Sequence, residues 1–150
     1  MTVIAWDGQS LAADRAVDIG GISFEATKVR RVRGETGVTL MAFAGSGARF
    51  NQCVEWFNAG ANPETYPKRE TEDHSVLVCI DLLDAGAPRI RRYEATGYPL
   101  QVEDKFYADG AGRDVALAAL HCGKSAREAV VLAIKLLGCC GKGIDVVSFD

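Results

Sequence analysis

The chain has 150 residues, of which 48% are hydrophobic and 25% charged, a length and balance that suit one globular domain over residues 1–150 with its own core and no need of disulfides or a structural metal. With 17 Lys+Arg against 20 Asp+Glu the net charge is −3, and the densest basic stretch is only Lys28-Val29-Arg30-Arg31-Val32-Arg33, which disfavours a nucleic-acid partner. Apolar runs such as Val76–Ile80 and Val115–Leu120 are far short of the ~20 residues that span a bilayer, and five cysteines without C-x-x-C spacing read as reduced thiols, so the expectation is a cytoplasmic protein with no membrane association.

Thr2–Trp6 reads as a strand, and Asp7-Gly8 is a hairpin turn into a second strand over Ser10–Ala13. A turn at Gly20-Gly21 precedes strands over Ile22–Phe24, Thr27–Arg33 and Val38–Ala44. A helix is predicted over Ala48–Ala59, where Phe50, Cys53, Val54 and Phe57 recur at helical spacing, with Ser46 as its N-cap and Gly60 beyond its end. Val54, Trp56 and Phe57 exceed what one buried stripe needs, which marks Trp56 as a candidate interface residue or a core residue.

Pro63–His74 is polar and reads as an exposed connection. Ser75–Leu82 is a strand buried on both faces, Asp84–Pro88 a turn, and Arg89–Glu94 and Lys105–Ala108 further strands. Two helices follow over Arg113–Cys122 and Ser125–Leu137, the second opened by the capping box Ser125-Ala126-Arg127-Glu128, and a strand over Ile144–Phe149 completes a layered α+β domain.

Several motifs fail on inspection. Gly123-Lys124-Ser125 lacks the upstream glycine of a phosphate loop, Gly110-Ala111-Gly112 lacks the third glycine of a dinucleotide fingerprint, and Gly45-Ser46-Gly47 lacks both the preceding glycine of a nucleophile elbow and a histidine partner. His74 and His121 are isolated from other ligand residues, so no metal site and no cofactor are expected. What remains is Thr2. Removal of Met1 would leave a hydroxyl and a free α-amine on one residue, a nucleophile with its own base. The amine's ordinary pKa is ~7.7–8.0, and a nearby lysine would push it lower by like-charge repulsion.

Four segments in order, Thr2-Val3-Ile4-Ala5, Leu11-Ala12-Ala13-Asp14-Arg15, Thr27-Lys28-Val29-Arg30-Arg31-Val32 and Ala42-Phe43-Ala44-Gly45, resemble the N-terminal half of proteasome β-subunits and of their bacterial relative HslV. Ala108-Asp109-Gly110-Ala111-Gly112 and Ser125-Ala126-Arg127-Glu128-Ala129 are similar to the family's helix-pair region. The resemblance implies an N-terminal nucleophile hydrolase of the αββα type, two stacked sheets between helical layers, with one layer thinned where Pro63–His74 replaces a long helix. It also implies threonine peptidase chemistry on polypeptides in a homo-oligomeric ring, with an ATP-dependent unfoldase as a candidate partner. It places the nucleophile on Thr2, its tuning lysine on Lys28, the orienting carboxylate on Asp14 and an oxyanion amide on Gly45, with Val17, Ala26, Arg30 and Phe43 lining the substrate pocket. On this reading Lys28→Ala and Asp14→Asn remove turnover and leave folding nearly intact.

Taken singly, each residue has a plainer reading: Thr2 an edge-strand start, Asp14 a turn former, Lys28 a face charge, Gly45 a helix-start glycine. Two positions depart from the family. Ala111 stands where a serine commonly assists the amine, and Leu137–Gly141 lacks the usual aspartate and carries cysteine near a second serine position. A catalytically inactive ring-forming or interaction protein therefore stays open, as does an amidase acting on a small molecule.

Overall fold

The computed structural model describes residues 1–70 and 73–150. In chain order the strands are β1 (Val3–Trp6), β2 (Ser10–Asp14), β3 (Ala16–Ile19), β4 (Ile22–Glu25), β5 (Val29–Gly34), β6 (Gly37–Ala44), β7 (Val76–Leu82), β8 (Pro88–Tyr93), β9 (Leu100–Val102), β10 (Tyr107–Gly110) and β11 (Ile144–Ser148), and the helices are α1 (Gly47–Asn58), α2 (Arg113–His121) and α3 (Ala126–Leu136).

The β1–β2 hairpin forms because Asp7 closes it: one carboxylate oxygen accepts from the Gln9 and Ser10 amides at 2.9 and 2.7 Å, while Gly8 takes the left-handed φ of +99° that the turn demands. The second Asp7 oxygen accepts from the Ala126 amide at 2.8 Å, tying the hairpin to the start of α3. Extended on both sides, the hairpin becomes an antiparallel sheet in the order β10-β1-β2-β11, and a second antiparallel sheet runs β5-β6-β7-β8-β9. Strand alternation then sorts the side chains. Ile4, Trp6, Leu11 and Ala13 face Val29, Leu40, Ala42, Val78 and Ile80 between the sheets.

On the outer face of the first sheet Val3, Ala5 and Ala12 pack under Ala116, Ala119, Leu120, Ala129, Val130 and Ala133 of α2 and α3, small residues on both sides permitting close approach. On the outer face of the second, Met41, Phe43, Leu77, Cys79 and Tyr93 pack under Phe50, Cys53 and Trp56 of α1. The layers are thus αββα, with two helices on one side and α1 on the other. Burial on both faces explains why β1 and β7 read as continuous apolar runs.

The capping box is present as expected, with the Ser125 hydroxyl accepting from the Glu128 amide and the Glu128 carboxylate from the Ser125 amide. Other expectations need correction. Ser46 occupies the N-cap position of α1 in extended conformation but makes no side-chain cap bond. β3, which pairs with β4 across Gly20-Gly21, and the three-residue β9 were not expected as strands.

Of the segment Pro63–His74, in which residues 71 and 72 lie outside the described residues, the first part is not simply an exposed connection. Asn62 caps a short 3-10 turn over Pro63–Thr65, and Tyr66 folds back under α1, buried. That return explains Trp56, which is 6% exposed: its indole donates to the Asn62 carbonyl at 2.7 Å and its ring meets Tyr66 and Tyr93 edge-on at 4.8 and 5.4 Å. Trp56 is a core residue and offers no interface. Among the described residues no helix is long and apolar enough to cross a membrane.

Candidate active site

The N-terminal ends of β1 and β5, the C-terminal end of β2 and the β10–α2 turn converge on one buried charge pair. Asp14, at the end of β2, is fully buried. Its Oδ1 accepts from the Val3 amide at 3.0 Å and from Lys28 Nζ at 2.9 Å, and its Oδ2 from the Gly141 and Ala16 amides at 3.1 and 3.3 Å. Four donors satisfy the oxygens of this side chain out of water. Lys28, 6% exposed and one residue before β5, also donates from Nζ to the carbonyl oxygen of Met1 at 3.0 Å. The ammonium therefore rests against the peptide bond that links Met1 to Thr2.

Thr2 is itself buried, and its carbonyl accepts from the Gly112 amide at 3.2 Å. Register places Gly110 opposite Val3, with φ +84°, and a Cβ at Gly110 would overlap the Thr2 carbonyl oxygen. The turn Gly110-Ala111-Gly112 is glycine-rich because it wraps the backbone of Thr2 at contact distance. Ala111 is exposed and its methyl group offers no proton to the site.

The structure brings Thr2, Asp14 and Lys28 together. Gly45 lies where β6 gives way to α1, with φ +134°, and a Cβ there would come within 2.6 Å of Ser75 Cβ and 2.9 Å of its Cα. Gly45→Ala would strain the backbone and push β6 from β7, an expected loss on the order of 3 kcal/mol in chemical denaturation. A stability within 0.5 kcal/mol or so of the parent would show that the β6–α1 turn yields freely.

The four pocket candidates divide into two pairs. Val17 lies half-buried on β3, and the Ala26 amide just past β4 donates to the Arg15 carbonyl at 2.9 Å. Arg30 lies over the Phe50 ring at 4.7 Å and donates to Asn51 Oδ1 at 2.6 Å, while Phe43, 3% exposed, stacks on Phe50 with ring centroids 5.3 Å apart. Phe43 is thus a core residue beneath α1, and Arg30 is engaged with that helix. In the single chain these two hold α1 on its sheet.

Sequence reasoning missed three contributors. Gly141 and Gly112 act through backbone N–H groups, which no side-chain pattern reveals. Asp109 accepts from the Gly110 amide at 2.8 Å through Oδ1, while its Oδ2 takes Arg92 Nε at 2.9 Å and the Tyr107 hydroxyl. Burial, with Asp109 beside it, pushes the Tyr107 phenol well above its ordinary value and keeps it a neutral donor. Arg92 on β8 and Asp109 on β10 thereby cross-link the two sheets next to the Thr2 turn.

The same architecture occurs in eukaryotic HslV from Trypanosoma brucei, with a TM-score of 0.67 over 98% of each chain at 20% sequence identity. It occurs again in the Gly-1 mutant of Anbu from Hyphomicrobium sp. strain MC1, with a TM-score of 0.72 over 99% of this chain and 83% of that one at 15% identity. The chain shares the αββα fold of these two structures. No protein-family model and no curated protein matches the sequence. At such identities the likeness carries the fold and leaves the chemistry to the residues themselves.

On this αββα fold the Thr2 edge is also where the C-terminal strand returns. Arg15 Nη1 donates to both carboxylate oxygens of Asp145 at 2.7 and 2.6 Å, and the Arg15 amide donates to the Gly141 carbonyl at 3.0 Å. The 138–143 loop is thus anchored by Asp14 through the Gly141 amide and by the Arg15 amide through the Gly141 and Gly143 carbonyls.

Proposed function

We propose that the chain is a threonine-type N-terminal nucleophile hydrolase that cleaves peptide bonds, with Thr2 as nucleophile once the Met1–Thr2 bond has been cut. The observation that carries this reading is the buried Lys28 ammonium, fixed by Asp14 and aimed at the carbonyl of that bond.

After Met1 is removed, the Lys28 charge lies beside the new α-amine and favours its neutral form. The amine takes the Thr2 hydroxyl proton as Oγ adds to the substrate carbonyl, and the resulting oxyanion is held by the Gly45 amide. The amine then hands its proton to the leaving nitrogen as the C–N bond breaks, leaving an ester on Thr2. Water, deprotonated by the same amine, hydrolyses the ester and restores the hydroxyl.

A nucleophile carried on one residue discriminates little between polypeptides, so the reading extends to a homo-oligomeric ring that restricts access, with an ATP-dependent unfoldase as a partner in a reducing cytoplasm. The T. brucei neighbour is an HslV, which supports the ring by analogy of fold. Ala111 favours a second reading, a non-catalytic ring-forming protein, because the turn around Thr2 offers no side-chain donor.

Intact mass of untagged protein tests the first requirement, with a chain beginning at Thr2 as the expected result. An α′,β′-epoxyketone then needs both the hydroxyl and the amine to form its ring adduct. Uniform retention of Met1 rules the peptidase out, and a Thr2-starting protein that forms no adduct favours the non-catalytic reading.

A further inference from the structure

Between the end of α3 and the start of β11 the chain carries two consecutive cysteines that the reaction above does not use. Cys139 and Cys140 place their sulfur atoms 3.7 Å apart. Cys139 is half-buried and reachable, whereas Cys140 is 8% exposed. The loop that holds them contains Gly138, Gly141 and Gly143, and Lys142 takes a left-handed φ of +61°. The next residue, Gly141, donates its amide to Asp14 Oδ2 at 3.1 Å. The sulfur pair is therefore one residue away from the carboxylate that holds Lys28.

We infer that Cys139 and Cys140 are a modification site, a vicinal dithiol that small-molecule disulfides oxidise to a Cys139–Cys140 disulfide, and that closing this ring draws the Gly141 amide away from Asp14. Cys139 is the first to react. Its thiolate attacks one sulfur of a disulfide such as oxidised glutathione, one S–S bond forming as another breaks, and glutathione leaves. Cys140 then loses its proton and attacks the Cys139 sulfur, expelling the second glutathione. Two cysteine thiols are oxidised, one glutathione disulfide is reduced to two thiols, and the two cysteine protons end on the glutathiones.

The division of labour follows from environment. Burial, with the Asp14 carboxylate nearby, pushes the Cys140 thiol up to about 12, so it is a poor first attacker and serves as the resolving thiol. Adjacent Cα atoms are held about 3.8 Å apart by a trans peptide, below the roughly 4.4–6.8 Å that disulfides favour. Ring closure must therefore deform the backbone at residues 139–141, and the bond is readily reduced. Backbone deformation at that point is what reaches Asp14.

The other cysteines provide the comparison. Cys53 and Cys79 are buried in the α1 layer, and Cys122 is an exposed thiol at the end of α2. Trypsin releases Leu136–Lys142 as one peptide holding both vicinal cysteines. After native protein is exposed to oxidised glutathione, quenched in acid and alkylated, that peptide is expected two hydrogens lighter and unalkylated, while Cys122 carries glutathione. In Cys140→Ser the same peptide retains glutathione on Cys139. In 15N-labelled protein the Val3 and Gly141 amides, both donors to Asp14, shift on oxidation and return with a dithiol reductant, and in Cys140→Ser they do not.

A parent peptide that stays fully alkylated, or that keeps glutathione, overturns the site. A disulfide that forms while both amide signals stay in place overturns its link to Asp14. Neither readout needs turnover, so the result stands apart from the peptidase reading.

Discussion

Asp14→Ala is expected to cost about 3–5 kcal/mol of folding stability and to remove all measurable turnover. The reason is the company Asp14 keeps. Losing the carboxylate leaves the Lys28 ammonium buried without its counter-charge and takes the acceptor from three backbone amides, those of Val3, Ala16 and Gly141. Domains of this kind have about 5–15 kcal/mol in hand, so the loss is a large part of the whole.

Lys28→Ala is the milder change, because the carboxylate it leaves behind still accepts three amide hydrogen bonds that stabilise its charge; a cost of roughly 1–3 kcal/mol follows. Urea unfolding of the three proteins should therefore rank parent above Lys28→Ala above Asp14→Ala, with equal slopes. The reverse order of the two variants would mean that the amide contacts contribute little. Asp14→Asn does not escape the penalty that the family resemblance implied it would. Its carboxamide keeps one acceptor oxygen but turns an NH2 toward donors it cannot bond, and it leaves Lys28 uncompensated.

The hairpin geometry explains why Asp14, placed in the site by the family resemblance, lies beside the start of the chain. Asp7-Gly8 sets a tight turn, and the resulting register of Ile4 with Ala13 carries Asp14 back alongside Val3, where it accepts the Val3 amide. The capping box at Ser125 and the doubly buried β7 were readable from residues alone, since each signal lies within one short segment. Lys28, like Asp14, was readable as a site residue only through resemblance, as nothing local fixes the angle at which β5 leaves the β3–β4 hairpin.

Gly141 could not be found, because its contribution is a backbone N–H brought from 127 residues away. Trp56 was ambiguous for a related reason: whether an aromatic on a helix is a core or an interface residue depends on what else arrives. Here Tyr66 and Tyr93 arrive from two other segments. The αββα layering itself follows from which strands are apolar on both faces, but the pairing order β10-β1-β2-β11 joins residues from opposite ends of the chain and has no local signature.

Thr2 gives the sharpest separation of chemistry from structure. Alanine, like threonine, is small enough to permit removal of Met1, so Thr2→Ala changes the hydroxyl and leaves the α-amine, Lys28 and Asp14 in place. The contacts that hold residue 2 are to its backbone, through the Gly112 amide and the close approach of Gly110, and these persist in the variant. Thermal stability should stay near that of the parent while hydrolysis of a fluorogenic peptide panel falls on the order of 10⁴–10⁶-fold, the scale seen when a covalent nucleophile is deleted.

Thr2→Ser restores the hydroxyl without the methyl group that limits χ1 rotation, so a loss of only about tenfold in kcat is expected, with KM little changed. Serine also retains the epoxyketone adduct, which alanine cannot form. Turnover in Thr2→Ala within about tenfold of the parent would remove Thr2 from the chemistry and leave Asp14 and Lys28 as a buried pair that fastens the first strand to the second sheet.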